Sequence, residues 1–187
     1  MGIVADFNTT MEIWLAKHGF PNVRVSEGES FAYYPETHLI QWGMLIQDST
    51  DRDFQQFFHE YDFQFVDYNV SVMSFLHELG HHMTLSAFTD LEREEVFLYK
   101  TVIDEMDAPQ VEKNFIYWEL EPEFSANIWA MRWAEAHPDD FIELHQLFQK
   151  WMDKIFSNKN ILAQIEYWIE DVKNGELIGL YILEDEE

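Results

Sequence analysis

The chain has 187 residues, enough for one domain with its own core. A formal net charge of −25 argues against direct binding to nucleic acid, whose phosphates would be repelled. Hydrophobic residues at 47% and aromatics at 17% exclude a disordered chain, and no apolar run is long enough to span a membrane.

The N-terminus, Met1 to Asp6, lacks the basic and apolar regions of a leader, and Asp6 stands where a myristoylation motif wants Ser or Thr. With no cysteine anywhere, a disulfide framework is out and a zinc site must use His and carboxylate. These features predict a cytoplasmic protein. The acidic balance has four readings: solubility, attraction of a basic partner, mimicry of nucleic acid, or salt adaptation. The many large aromatics speak against the last.

Residues 8–18 read as an opening helix, with Asn8 or Thr9 as its cap and Met11, Ile13, Trp14 and Leu15 as its apolar side. Gly19 and Pro21 stop it. Val23 to Val25 reads as a short strand. Residues 31–34 and 38–42 read as a hairpin turning at Pro35-Glu36-Thr37. An edge strand of this small sheet could hold an extended peptide, or the sheet could simply cover a helix. Phe54, Phe57, Phe58 and Tyr61 recur at helical spacing over 51–62 and read as core.

The most informative stretch is next, Ser74-Phe75-Leu76-His77-Glu78-Leu79-Gly80-His81-His82. Residues four apart share one face of a helix, so His77 and His81 can direct two imidazoles at one metal ion. Glu78 lies about 60° round from His81, at roughly 100° per residue, beside the metal without ligating it. There it can take a proton from a water whose pKa zinc lowers to about 7. The helix is expected over about 70–86, capped by Asn69 or Ser71. Val72, Phe75, Leu76, Leu79 and Met83 form its buried back. Gly80 is a poor helix former, so its presence implies close approach of a neighbouring element or of substrate.

Thr89 or Asp90 can cap the following helix, with Glu92, Glu94 and Glu95 in its first turns and an end before Pro109. Within 111–136, Pro122 either opens a helix or kinks a longer one. His137-Pro138-Asp139-Asp140 starts a helix to about Phe156. A last helix is expected over 160–173, with a possible strand over 177–183 and a frayed end at 184–187. The whole is expected to be one α+β domain over 1–187. It is mostly helical, with a small sheet beside the motif helix and a helical C-terminal part from about 138.

A catalytic zinc usually takes three protein ligands. Glu119, Glu121, Glu123, His82, His137 and His145 are the candidates for the third. His82 points about 100° away from His81 and reads as a supporting or surface residue. His137 and His145 read as surface or capping residues.

His77-Glu78-Leu79-Gly80-His81, followed by Glu123-Phe124-Ser125-Ala126-Asn127-Ile128-Trp129-Ala130, resembles the two motifs of the ImmA/IrrE-type metallopeptidases, gluzincins of bacteria and their phages. The likeness covers the two motifs. Ser125 stands where that family usually has Glu, and Trp129 where it usually has Phe. The resemblance implies a zincin-like fold, with Glu123 as third zinc ligand and Asn127 orienting a histidine. Glu119 and Glu121 stay as alternatives. It further implies that Ala126 and Ala130 allow the two helices to approach closely.

The expected activity is zinc-dependent hydrolysis of a peptide bond in an intracellular, regulatory protein. Glu78 would be the general base. Tyr117 would be either an oxyanion donor or a core aromatic. A basic, DNA-binding substrate would suit the charge. The competing reading is an acidic binding protein that mimics nucleic acid and keeps only a structural or vestigial zinc site. A third is a metal-dependent hydrolase of some other bond.

Overall fold

The computed structural model describes residues 3–28, 30–43, 48–63 and 70–157. The architecture is α+β. Among the described residues the helices are α1 (Ile3–Lys17), α2 (Asp48–Glu60), α3 (Val70–Thr84), α4 (Asp90–Asp104), α5 (Gln110–Trp118), α6 (Glu121–Ala136) and α7 (Pro138–Ser157). Three short strands, β1 (Arg24–Gly28), β2 (Ala32–Tyr34) and β3 (Leu39–Gly43), form one mixed sheet in the order β1-β3-β2. β2 and β3 are the expected antiparallel hairpin, with Tyr33 opposite Ile40, and β1 runs parallel to β3. The turn ends at His38, whose φ of 50° is the left-handed conformation a tight reversal requires.

The opening helix starts earlier than the sequence suggests. It runs from Ile3, so Asn8 and Thr9 lie inside it rather than at its cap. Asn8 has another use: its Oδ1 accepts from Trp42 Nε1 at 2.7 Å, tying α1 to the sheet. Glu12 adds a second tie, accepting from the Val25 amide and the Arg24 guanidinium.

Aromatic packing fills the interior. Phe7, Trp42, Phe148 and Trp151 interlock where α1, β3 and α7 meet. Phe54, Phe57 and Trp118 do the same where α2 meets α5. Phe54, Phe57 and Phe58 are core as expected, whereas Tyr61 is only partly buried at the core's edge, its hydroxyl reaching the exposed Glu119.

α3 runs through the middle of this core, packed most extensively on α6. Val72, Phe75, Leu76 and Leu79 form its buried back as expected, but Met83 is 46% exposed because α3 ends one residue later, beyond the core's edge. Ser71 lies within α3, so it is not the cap, and Asn69 falls outside the described residues. Thr89 caps α4 in a full capping box with Glu92, which leaves Asp90 inside the helix. Pro122 sits in the first turn of α6, so it opens that helix instead of kinking a longer one. The helix expected over 160–173, the strand over 177–183 and the frayed end lie outside the described residues. No described helix is long and apolar enough to cross a membrane.

Candidate metal centre

α3 presents the motif on the side opposite its aliphatic back, and α6 crosses directly over it. Gly80 makes that crossing possible. A Cβ there would lie 2.5 Å from the Ala126 carbonyl oxygen and 2.9 Å from Ala126 Cα. Ala126 and Ala130 are both fully buried at the contact. The small residues on the two helices thus set how closely their backbones meet.

This approach carries Glu123, in the first turn of α6, onto the two histidines. Its Oε2 lies 3.2 Å from His77 Nε2 and 3.4 Å from His81 Nε2. Tetrahedral ligands with metal bonds of about 2.0–2.2 Å are separated by about 3.3–3.6 Å. The carboxylate oxygen therefore stands at about that spacing from each imidazole nitrogen. Asn127, one turn along α6 and fully buried, accepts at Oδ1 from His77 Nδ1 at 2.8 Å. That bond fixes the tautomer, leaving the Nε2 lone pair of a neutral His77 aimed at Glu123. Two lone-pair donors facing one another at such a distance call for a proton or a cation between them. The donor set fits a divalent metal ion.

The alternatives at the third position separate cleanly. Glu119 is exposed at the end of α5, where it accepts from the Tyr61 hydroxyl at 3.3 Å. Glu121 is exposed at the start of α6. Only Glu123 among the three is buried against the histidines. His137 caps the end of α6, its Nδ1 on the Trp133 carbonyl.

Glu78 is buried beside the two histidines, and one of its carboxylate oxygens lies within 4.8 Å of a ring nitrogen of each. The backbone N–H of Tyr33, on the sheet's edge strand β2, donates to it. Burial pushes the Glu78 carboxyl above its ordinary range, while the two histidines and the Tyr33 amide pull the other way. Burial also works to raise Glu123, but hydrogen bonds and charge from His77 and His81 hold it well below the usual carboxylate range. For His77 burial acts downward and is outweighed by Glu123, Glu78 and Asn127, so its pKa is pushed up to about 9.

Tyr117, on α5, is half-buried and faces Glu123. Burial, then the Glu123 charge and hydrogen bond, raise its pKa, so the phenol keeps its proton. Sequence reasoning missed the supporting role of β2. The Tyr33 hydroxyl also lies 2.8 Å from His82 Nδ1 and 3.1 Å from His38 Nδ1, linking the hairpin to the end of α3. A backbone donor leaves no side-chain signature, so only the expected proximity of the sheet to the motif helix pointed there.

A second carboxylate–histidine group, His18, Asp140 and Glu143, is built differently. Asp140 meets His18 at Nδ1 and Glu143 meets it at Nε2. Opposite edges of one ring cannot serve one ion, and Lys17 already pairs with Glu143 at 2.6 Å. This is a clasp between α1 and α7. Compared with models of known families, with curated proteins and with solved structures, the chain matches none.

Proposed function

We propose that the chain is a zinc-dependent peptidase of the kind its two motifs resemble. The observation that carries this reading is the triangle of His77 Nε2, His81 Nε2 and Glu123 Oε2, with the Glu78 carboxylate beside it. His77, His81 and Glu123 would hold the ion, and Asn127 would orient His77. When bound, zinc supplies a Lewis acid for the scissile carbonyl and lowers the pKa of a water to about 7.

The rest of the chemistry falls to the chain's own groups. Glu78, held by the Tyr33 amide, takes a proton from the attacking water and delivers it to the leaving amine. Its raised pKa suits a group that must bind a proton and release it again. Tyr117, protonated and facing the centre, donates a hydrogen bond to the developing oxyanion. β2 lies at the edge of the sheet among the described residues, next to Glu78, and offers its outer side to an extended peptide. A basic segment would suit the acidic surface, and a regulatory protein of the cytoplasm is the substrate class the motif resemblance favours.

The net charge of −25 favours one competing reading, a nucleic-acid mimic with a structural metal site. One set of proteins separates the two. Zinc content is measured in wild type, His77→Ala and Glu123→Ala, and cleavage of an unfolded protein substrate in wild type and Glu78→Gln. Near-stoichiometric zinc lost in both ligand variants, with cleavage lost in Glu78→Gln, supports the peptidase. Zinc retained in Glu123→Ala, or full cleavage by Glu78→Gln, overturns it.

A further inference from the structure

α4 carries apolar side chains on two faces, with Phe97, 74% exposed, standing between them. Val96 and Ile103 are buried against the neighbouring helices. Leu91, Leu98 and Val102, spaced seven and four residues apart, form a second stripe that nothing among the described residues covers. They are 65%, 68% and 59% exposed, and Tyr99 beside them is 52% exposed. A water-soluble helix ordinarily turns such side chains inward, and exposed apolar neighbours such as Leu98, Tyr99 and Val102 mark an interaction surface.

The charges around the stripe say what would cover it. At roughly 100° per residue, Glu94 and Glu95 fall on either side of the line through Leu91 and Leu98. The two cations of α4 are turned to other uses. Arg93 pairs with Asp90, and the Lys100 ammonium lies 5.1 Å over the Tyr117 ring. An apolar strip edged by unneutralised carboxylates complements a helix with an apolar face and basic flanks.

The same charges weigh against other occupants. A second copy would bring Glu94 and Glu95 against their own equivalents, on a chain that already carries −25. The segment 158–187 is itself acidic and ends Glu184-Asp185-Glu186-Glu187.

We propose that the outer face of α4 is a docking surface for a basic amphipathic helix of another protein. It stands apart from the metal centre and holds whether or not that centre hydrolyses anything.

The test uses the full chain and a synthetic helical peptide of leucine and lysine with the leucines on one face. Binding is followed by fluorescence anisotropy of the labelled peptide. Wild type should bind it with an affinity that falls as salt rises. Leu98→Gln combined with Val102→Gln, which leaves the charge unchanged, should bind about tenfold or more weakly. A scrambled peptide of the same composition should bind wild type no better than that variant binds the original. Glu94→Gln with Glu95→Gln should weaken binding and flatten the salt dependence, which keeps the idea testable if the first variant misfolds by circular dichroism.

Equal binding by wild type and the folded Leu98/Val102 variant would overturn the proposal, since charge alone would then account for it. So would a wild-type dimer that this variant cannot form. So too would a disulfide within one molecule between Leu98→Cys and Trp168→Cys, readily scored because the chain has no other cysteine.

Discussion

At the crossing of α3 and α6, histidines and carboxylates are shut inside the protein. On α4, two elements away, leucines and a valine stand in water. Both regions invert the ordinary arrangement, and they do so at different energetic scales. Burying a polar or charged group without partners costs several kcal/mol, so the crossing persists only because each side chain there faces another and the helices are held at one distance. Exposing an apolar stripe costs the fold little and leaves a surface ready to associate. The first region is therefore sensitive to every change in packing, and the second is indifferent until a partner arrives.

The largest effect should come from closing the gap that Gly80 leaves. Gly80→Ala puts a methyl against the Ala126 backbone, which cannot swing aside as a side chain would. Urea denaturation should show a loss of ~1–3 kcal/mol, together with weakened metal binding, because the Glu123 carboxylate recedes from the histidines. Unchanged stability would mean that the close crossing is not what positions Glu123.

Next in size is Asn127→Ala. It should lower metal affinity by about 10–100-fold, measured by competition with a chelator, with all three proposed ligands still present.

A third effect is the pH dependence of the same region. The His77 pKa in the folded, metal-free protein, about 9, lies above its ordinary value of 6.5. This contribution to stability is fully present below about 6.5 and is lost as pH rises through 9. Glu123 is shifted the other way. Its contribution is present above its ordinary value of 4.5 and is lost as pH falls toward its depressed folded value. The pair thus favours the metal-free fold most between those two ordinary values. A metal must displace the His77 proton, so its apparent affinity should climb about tenfold per pH unit from 6.5 to 8. A flat profile would sink the assignment of His77 as a ligand.

The smallest effect sharpens the contrast. Leu98→Ser on α4 should change unfolding free energy by about 0.5 kcal/mol or less, since the side chain is already in solvent.

How much of this was legible in the sequence depended on whether the signal was local. The spacing of His77 and His81 and the adjacency of Glu78 were readable because helix geometry alone relates them. Gly80 announced a close neighbour, and the neighbour is the Ala126 segment. The third carboxylate was harder. Glu119, Glu121 and Glu123 alternate along the chain, and only the start of α6 at Glu121 turns the last of them inward.

Other features depended on distant parts of the molecule. Asn8 and Thr9 look like caps, yet Asn8 is spent on Trp42, thirty-four residues away. Met83 continues the apolar spacing of α3 but lies past the end of the core that would bury it. The bare stripe of α4 was invisible because an apolar helix face in a sequence does not say whether anything lies on it.

The two imidazoles of the motif are alike in chemistry and unlike in support. His77 is gripped at Nδ1 by Asn127, whereas the buried Nδ1 of His81 has no hydrogen-bond partner among the described residues. Before any ion arrives, one ring is held at both nitrogens, by Asn127 and by Glu123. The other is held only at Nε2, by Glu123. The ordering cost of assembling the centre is thus concentrated in one side chain, and His81 is the ring whose NMR signals should sharpen most when the metal binds.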